Sequence, residues 1–310
     1  MWRPGWKQQQ TLPKRGVKLL FVFQGWRLDP SASSADVTKG ASRRQARGAD
    51  GLRRLSGWQV QWRVVDALVY RELRTRVSDV KGGFLGVLIQ PLGLIAIWVV
   101  FLTALSADRG GSLNVVLFLG SGIILFNIFS QIVSRSVTAM EANEALLFYK
   151  PVKPIDTVIA RTISETGLYT CCLLVICIGT WIFLDQVYMS DLGLFFFTII
   201  LAACIGFSIG LIFMVVSHNI PAFKQTAAWI TRILWFTSGV AFRYWTFPPW
   251  TRIFFVWNPL THIIELNRKS MSDDYFTPDA NLEFAVVCAV ALLTVSLWIY
   301  YNNERKLLTL

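Results

Sequence analysis

The sequence predicts an all-α integral membrane protein with six transmembrane helices. An amphipathic interface helix precedes the first span, and short re-entrant helices lie on the outer side between spans five and six. Three observations predict it. Of the 310 residues, 54% are hydrophobic and only 16% are charged, with a mean hydropathy of +0.48. Residues 1–81 hold 17 Lys and Arg against 6 Asp and Glu, which is the whole net charge of +11; the remaining 229 residues hold 13 of each sign. The neutral part divides into six apolar stretches, each near the ~20 residues a helix needs to cross a ~30 Å hydrocarbon layer.

The same numbers exclude other classes. A soluble enzyme rarely carries this apolar excess. A nucleic-acid-binding domain places its basic patch on a folded polar body, so no nucleic-acid partner is expected. The body is too apolar for disorder. Cys171, Cys172, Cys177, Cys204 and Cys288 lie in apolar stretches without a CxxC pair, and the histidines are His218 and His262 alone. No metal site is expected from that set. The early apolar run Leu19–Phe23 is shorter than the core of a signal peptide.

Residues 1–57 are rich in Arg, Gly, Ser and Gln without periodicity. They are expected to form a basic, mostly disordered cytoplasmic tail; a start codon set too far upstream accounts for them equally well. Residues 58–83 differ. Trp58, Trp62, Val65, Val69, Leu73 and Val77 recur at steps of three or four, with Arg63, Arg71, Arg74 and Asp79 off that stripe. This predicts an amphipathic helix on the inner membrane surface, serving as a gate or as a plain anchor.

Residues 84–303 form the transmembrane domain. The expected spans are Phe84–Leu105, Leu113–Val133, Thr166–Leu184 (starting near Arg161), Leu192–Ser217, Gln225–Phe242 and Phe284–Asn303. Residues 304–310 are a short cytoplasmic C-terminus. Lys and Arg concentrate in residues 1–83, 134–161 and 217–224, which predicts an N-in, C-in orientation. The outer loop 243–283 also carries Arg243, Arg252, Arg268 and Lys269, so the basic N-terminus decides.

The chain has no G-x-x-x-x-G-K-[ST], hence no phosphate-cradling loop of its own. The scarcity of carboxylates in the spans, Glu165 near a span end excepted, argues against a proton-coupled carrier. The loop EANEALLFYKPVKPID, residues 141–156, predicts a short helix from Glu141 to Tyr149, stopped by two Lys-Pro steps. Such a helix suits docking into a cytoplasmic partner, or simply connects two spans.

Arg232 falls inside the fifth span, where a charge must face protein interior or a watery path. Beside Trp229, Trp235 and Phe236 it suits a conduit for an anionic, sugar-containing substrate; a snorkelling or helix-packing role fits the same position. Residues 243–268 hold Tyr244, Trp245, Trp250 and Trp257, then Asn258, Pro259, His262, Glu265 and Arg268, divided by prolines. This predicts re-entrant short helices. An aromatic belt explains the tryptophans but not the polar residues. Gly206 and Gly210 have the spacing of a close helix seam and point weakly to a dimer. A membrane glycosyl- or acyltransferase would need clustered acids, for which Asp273 and Asp274 are the candidate pair; a solvated turn suits them better.

Three segments carry a family resemblance. They are Tyr70–Arg76 (YRELRTR) with Gly86 and Pro91, Leu146–Arg161 (LLFYKPVKPIDTVIAR), and Arg232–Arg268 with FTSG, PPW and WNPLTHIIELNR. Together they resemble the membrane subunit of type-2 ABC exporters (the ABC-2, or type V exporter, fold), specifically the permeases of capsular polysaccharide export. The resemblance implies a bacterial inner-membrane permease that moves a lipid-linked acidic polysaccharide and has no catalytic residues or cofactor of its own. It implies a homodimer with two copies of a separate cytoplasmic ABC ATPase, which binds ATP and Mg. A periplasmic co-polymerase-like adaptor and an outer-membrane polysaccharide channel would complete the path.

It also implies residue roles. Trp58, Trp62, Tyr70, Arg71, Arg74, Arg76 and Lys81 would form the gate helix. Glu141, Asn143, Glu144, Leu147, Tyr149, Lys150 and Pro151 would couple to the ATPase. Trp229, Arg232, Trp235, Phe236, Tyr244, Trp245, Trp250 and Trp257 would line the channel, with Asn258, Pro259, His262, Glu265 and Arg268 as the periplasmic re-entrant motif. Gln90 stands where relatives often carry Glu before the proline. Close relatives export O-antigen or teichoic acid, and a small-molecule cargo is a further alternative.

Overall fold

The computed structural model describes residues 56–78, 83–104, 113–147, 152–184 and 189–308. The expectations for residues 1–55, for Lys81, Tyr149, Lys150 and Pro151, and for the Leu147 side chain lie outside the described residues. What is described is helical, with no strand among the described residues.

The bundle is organised around α3 (Val115–Val137). Asn114 starts it by accepting the Val116 N–H at 2.8 Å, satisfying one of the free donors of the first turn. In the most apolar window of α3, 72% of residues are inside the protein, against 17% for α11 (Leu282–Leu308). So α3 is the central helix and α11 a peripheral one. Against α3 pack α6 (Pro154–Leu184) and α7 (Leu192–Asn219). Asp191 caps α7 through the Leu194 N–H at 2.9 Å.

Gly206 and Gly210 face α3. A Cβ on Gly206 would lie 3.2 Å from Ile132 Cδ1, and one on Gly210 would lie 2.8 Å from Ser136 Oγ. The glycine spacing expected as a dimer seam is therefore used inside the subunit, where it lets two backbones approach closely.

Among the described residues, four helices are long and apolar enough to cross a membrane: α3, α6, α7 and α11. α2 (Gly83–Ala104) follows the first expected span and contains Pro91. The fifth span is corrected. α8 (Phe223–Thr237) has 15 residues rather than running to Phe242. At ~1.5 Å per residue it is about 22 Å long, less than a ~30 Å hydrocarbon layer. It stops because Gly239 adopts φ 63°, the left-handed conformation that closes helices at low cost for glycine. A 3-10 turn (Tyr244–Thr246) follows, then α9 (Pro249–Val256) and α10 (Pro259–Met271), each with proline in its first turn.

Two further boundaries differ from expectation. α6 begins at Pro154, well before Arg161, because Asp156 accepts the Lys153 N–H at 2.8 Å and closes the first turn. The expected helix Glu141–Tyr149 is broken into α4 (Ala139–Ala142) and α5 (Glu144–Leu147). Asn143 breaks it: its side chain donates to the Ala139 carbonyl at 2.8 Å, competing with the helical ladder.

The ends of α3, α7 and α11 meet the start of α6 at one end of the bundle. Ser217 Oγ donates to the Val137 carbonyl at 2.8 Å, and Lys153 pairs with Glu304 at 3.2 Å. A small apolar cluster of Met140, Val158, Met214 and Tyr300 fills this end. The main core lies around α3.

Candidate functional site

α1 (Gly57–Ser78) packs on α6. The face it buries is not the tryptophan stripe. Gln61, Val65, Leu68, Glu72 and Arg76, at steps of four and three, point inward. Trp58, Trp62, Tyr70 and Leu73 are exposed, with the two tryptophan rings edge to face at 5.7 Å. The helix thus has a polar-anchored protein face beside an outward aromatic face. The sequence pattern showed only the second.

The protein face ends in a clasp of charged side chains. Glu72 accepts from Arg161 Nε at 3.2 Å and lies 3.6 Å from Arg135 Nη2. Glu165 takes Arg76 Nη1 at 2.6 Å and Arg135 Nη1 at 2.5 Å. Arg135 therefore joins a carboxylate on α1 to one on α6. Arg161 also donates to the Arg135 carbonyl at the end of α3, where a cation is favourable. Arg71 donates to Asn143, and Gln61 to Asp156. Both glutamates and Arg161 are buried, which is tolerable only because each is paired. Arg71 and Arg76 are thus engaged within the protein. Arg74 is exposed and makes no ion pair among the described residues.

A groove of about 820 Å³ opens between α2, α3 and α8. α3 contributes Ser130, Gln131 and Ser134, its C-cap contributes Thr138, and α8 contributes Lys224, Arg232, Trp235 and Phe236. The Arg232 guanidinium lies over the Trp229 ring at 5.3 Å. Trp235 is steadied by Trp98 at 5.8 Å and meets Phe236 edge to face at 5.0 Å. No carboxylate lines the groove among the described residues. Lys224 pairs outside it with Glu141, whereas Arg232 pairs with no carboxylate among the described residues. Positive charge, aromatic faces and neutral hydrogen-bonding groups share one surface, suited to an anionic polyhydroxylated chain.

The eight residues expected along the channel do not share that surface. Arg232, Trp235 and Phe236 line the groove, and Trp229 lies beneath the guanidinium. Tyr244 is buried against Phe255 with rings 6.1 Å apart, and Trp245 packs on Tyr275 at 5.8 Å. Trp250 and Trp257 are exposed at α9.

The Asn-Pro, His, Glu and Arg residues around α10 form a structural lock. The Arg268 side chain has 0% exposure and Glu265 has 1%, with Nη1 to Oε1 at 2.7 Å. The guanidinium also donates to the carbonyls of Phe118, Gly239 and Val240, and Tyr275 donates to Glu265 Oε2 at 3.0 Å. One arginine so joins α10, the start of α3 and the turn after α8. Asn258 caps α10 by accepting the Leu260 N–H at 3.0 Å and donates to Ser238 Oγ at 2.9 Å. His262 accepts the Asn281 N–H on Nδ1 at 3.1 Å, and its Nε2 lies 2.7 Å from the Val256 carbonyl. Burial pushes its pKa below the usual imidazole value near 6.5, opposed by the bond to the Val256 carbonyl and by Asp279. Asp273 and Asp274 are exposed in the following turn, outside this lock.

On the broken segment expected to couple to an ATPase, Glu141 and Glu144 are exposed while Asn143 is buried and turned inward to Arg71. Sequence reasoning missed two sets. Of the clasp partners, Glu72 was visible only as part of the YRELRTR motif, and Arg135 and Arg161 only as loop charges. The row Ser130, Gln131, Ser134 and Thr138 had a signal, polar residues recurring every three or four positions beside an apolar stretch.

Comparison with known proteins agrees with this architecture. The family model for ABC-2 type transporters matches residues 63–272. The chain is 32% identical over 257 residues to the polysialic acid transport protein KpsM of Escherichia coli, covering 82% of this chain and 98% of that protein. It is 28% identical over 254 residues to the capsule polysaccharide export inner-membrane protein CtrC of Neisseria meningitidis serogroup B, covering 79% and 94%. For the capsule polysaccharide export inner-membrane protein BexB of Haemophilus influenzae the identity is 26% over 253 residues, covering 79% and 93%. The carboxylates and arginines of the clasp, the groove and α10 lie inside the matched stretch, and the chain belongs to the ABC-2 type transporter family.

Proposed function

We propose that this chain is the transmembrane subunit of an ATP-driven exporter that moves a lipid-linked acidic capsular polysaccharide across a bacterial inner membrane. One observation carries the reading: a groove with an arginine that pairs with no carboxylate among the described residues, aromatic walls and a neutral polar row. The relatives named for polysialic acid transport and capsule polysaccharide export support it.

In this reading α2 and α8 complete six spans, α9 and α10 are re-entrant on the periplasmic side, and both termini face the cytoplasm. Two copies of the chain place their grooves together as a channel. Two copies of a cytoplasmic ABC ATPase, which holds ATP and Mg, dock on the exposed Glu141 and Glu144 segment. Their closure moves α4 and α5. The bonds Arg71 to Asn143 and Gln61 to Asp156 pass that movement to α1. Arg74, exposed beside the outward aromatic face, receives the anionic lipid-linked end. Arg232 then pairs with acidic groups of the passing chain, and Trp229, Trp235 and Phe236 offer faces to its sugar rings. A periplasmic adaptor and an outer-membrane channel continue the route.

The test combines assembly and transport. Affinity purification in detergent is expected to recover an ATP-binding subunit. Arg232→Ala is expected to lower surface polysaccharide at unchanged permease level. Normal surface polysaccharide in that variant would overturn the channel role. O-antigen, teichoic acid or a small-molecule cargo would be recognised by the identity of the material retained inside Arg232→Ala cells.

A further inference from the structure

We infer that the neutral polar row of Ser130, Gln131 and Ser134 on α3, continued by its C-cap Thr138, is the track on which the sugar hydroxyls of the exported chain travel. This rests on the proposed function and assigns the wall opposite Arg232.

The row runs along one face of the last turns of α3 and onto its C-cap. Positions 130, 134 and 138 recur every four residues, about 6 Å apart along the axis, and Gln131 sits beside them. All four line the groove. Their hydrogen-bonding capacity is largely unused. Ser130 Oγ reaches the Asn127 carbonyl at only 3.4 Å and Thr138 Oγ1 the Arg135 carbonyl at 3.3 Å. Gln131 and Ser134 have no side-chain partner among the described residues.

Compare the hydroxyls on the same helix that face the core. Ser136 Oγ is satisfied at 2.7 Å by the Ile132 carbonyl, and Ser121 Oγ at 3.1 Å by Phe118. The difference follows the groove rather than the residue type. In a membrane-spanning helix an amide or hydroxyl without a partner is costly, so it faces water, a polar ligand or another subunit. A sugar hydroxyl both donates and accepts, as do the Ser, Thr and Gln side chains. None of the four holds a charge, so none binds an anionic group tightly enough to arrest a moving chain. Weak, repeated and equivalent contacts are what a processive polymer needs. Arg232 on the facing helix supplies charge, and the α3 row supplies exchangeable hydrogen bonds.

The experiment uses the complete transporter in cells, with surface polysaccharide measured per membrane-embedded permease and ATPase co-purification as the assembly readout. The triple variant Ser130→Ala/Gln131→Leu/Ser134→Ala is expected to export about fivefold less while retaining the ATPase. Ser130→Thr/Gln131→Asn/Ser134→Thr is expected to restore export. Ser134→Trp, at an exposed position, is expected to block the groove. Normal export by the triple variant beside a blocked Ser134→Trp overturns this inference alone. Normal export by both removes the groove as the path and overturns the proposed function as well. Loss of the ATPase or of the permease from the membrane in the triple variant makes the row an assembly seam and overturns the track.

Discussion

A methyl group on Gly122 would lie 2.5 Å from Nη2 of Arg268, and equally close to the Val240 carbonyl that this guanidinium binds. Gly122→Ala therefore forces the buried arginine or the turn after α8 to move. Overpacking of this kind costs about 1–3 kcal/mol. The melting temperature of the detergent-solubilised protein is expected to fall by several degrees. Gly167→Ala is the matched control, since nothing lies within 4 Å of the added methyl. Equal melting temperatures for the two variants would refute the tight lock.

The clasp makes a second prediction. Glu165→Gln removes one of two carboxylates that face Arg71, Arg76, Arg135 and Arg161. Breaking a buried pair costs about 3–5 kcal/mol, but Arg76 and Arg135 retain side-chain exposures of 19% and 26%, so about 1–3 kcal/mol is expected. The loss should appear as faster hydrogen exchange across α1. Adding Arg76→Met should recover part of it, because the uncompensated charge is then gone. Arg74→Ala should leave exchange in α1 unchanged; a slowdown or an equal loss there would contradict the clasp.

What the sequence made legible follows from how each feature is encoded. Long apolar runs encode themselves, so α3, α7 and α11 were visible within a few residues. The family resemblance was visible because it rests on contiguous motifs. The end of α8 was not, since the residues after Thr237 are apolar enough to continue a span and only the φ of Gly239 stops it. The true face of α1 was hidden because its protein side is anchored by Gln61, Glu72 and Arg76, polar residues that a hydrophobic stripe cannot reveal. The lock was located but its purpose was not. Arg268 meets Phe118 across 150 positions of chain, a pairing that no local pattern contains.

Arg232 yields a graded series. It is exposed and held by a ring contact, so its removal should change stability by less than about 0.5 kcal/mol. Its effect belongs to transport. Arg232→Lys keeps the charge but loses the planar group that lies on Trp229 and can bind a carboxylate at two points. Surface polysaccharide is expected in the order wild type, Arg232→Lys, Arg232→Ala, Arg232→Glu. An Arg232→Glu variant indistinguishable from Arg232→Ala would show that charge in the groove does not matter.

The last prediction concerns pH on the side of α10. His262 accepts an N–H on Nδ1 from Asn281 and places Nε2 on the Val256 carbonyl, so the bonded form is the neutral imidazole with its proton on Nε2. Protonating Nδ1 would set two donors against each other, and burial already disfavours the charge. Asp279 is the facing charge that partly offsets this. The folded pKa lies below the unfolded one, so the unfolded chain binds more protons in the interval between them. Stability from His262 is therefore complete above about 6.5 and declines as pH falls through the lowered folded value. His262→Phe keeps a ring against Phe284, which lies 4.9 Å from the imidazole, but cannot titrate. The melting temperature of wild type is expected to exceed that of His262→Phe at neutral pH, and the gap to close on acidification. A gap that stays constant with pH would mean that this imidazole does not hold the segment in its neutral form.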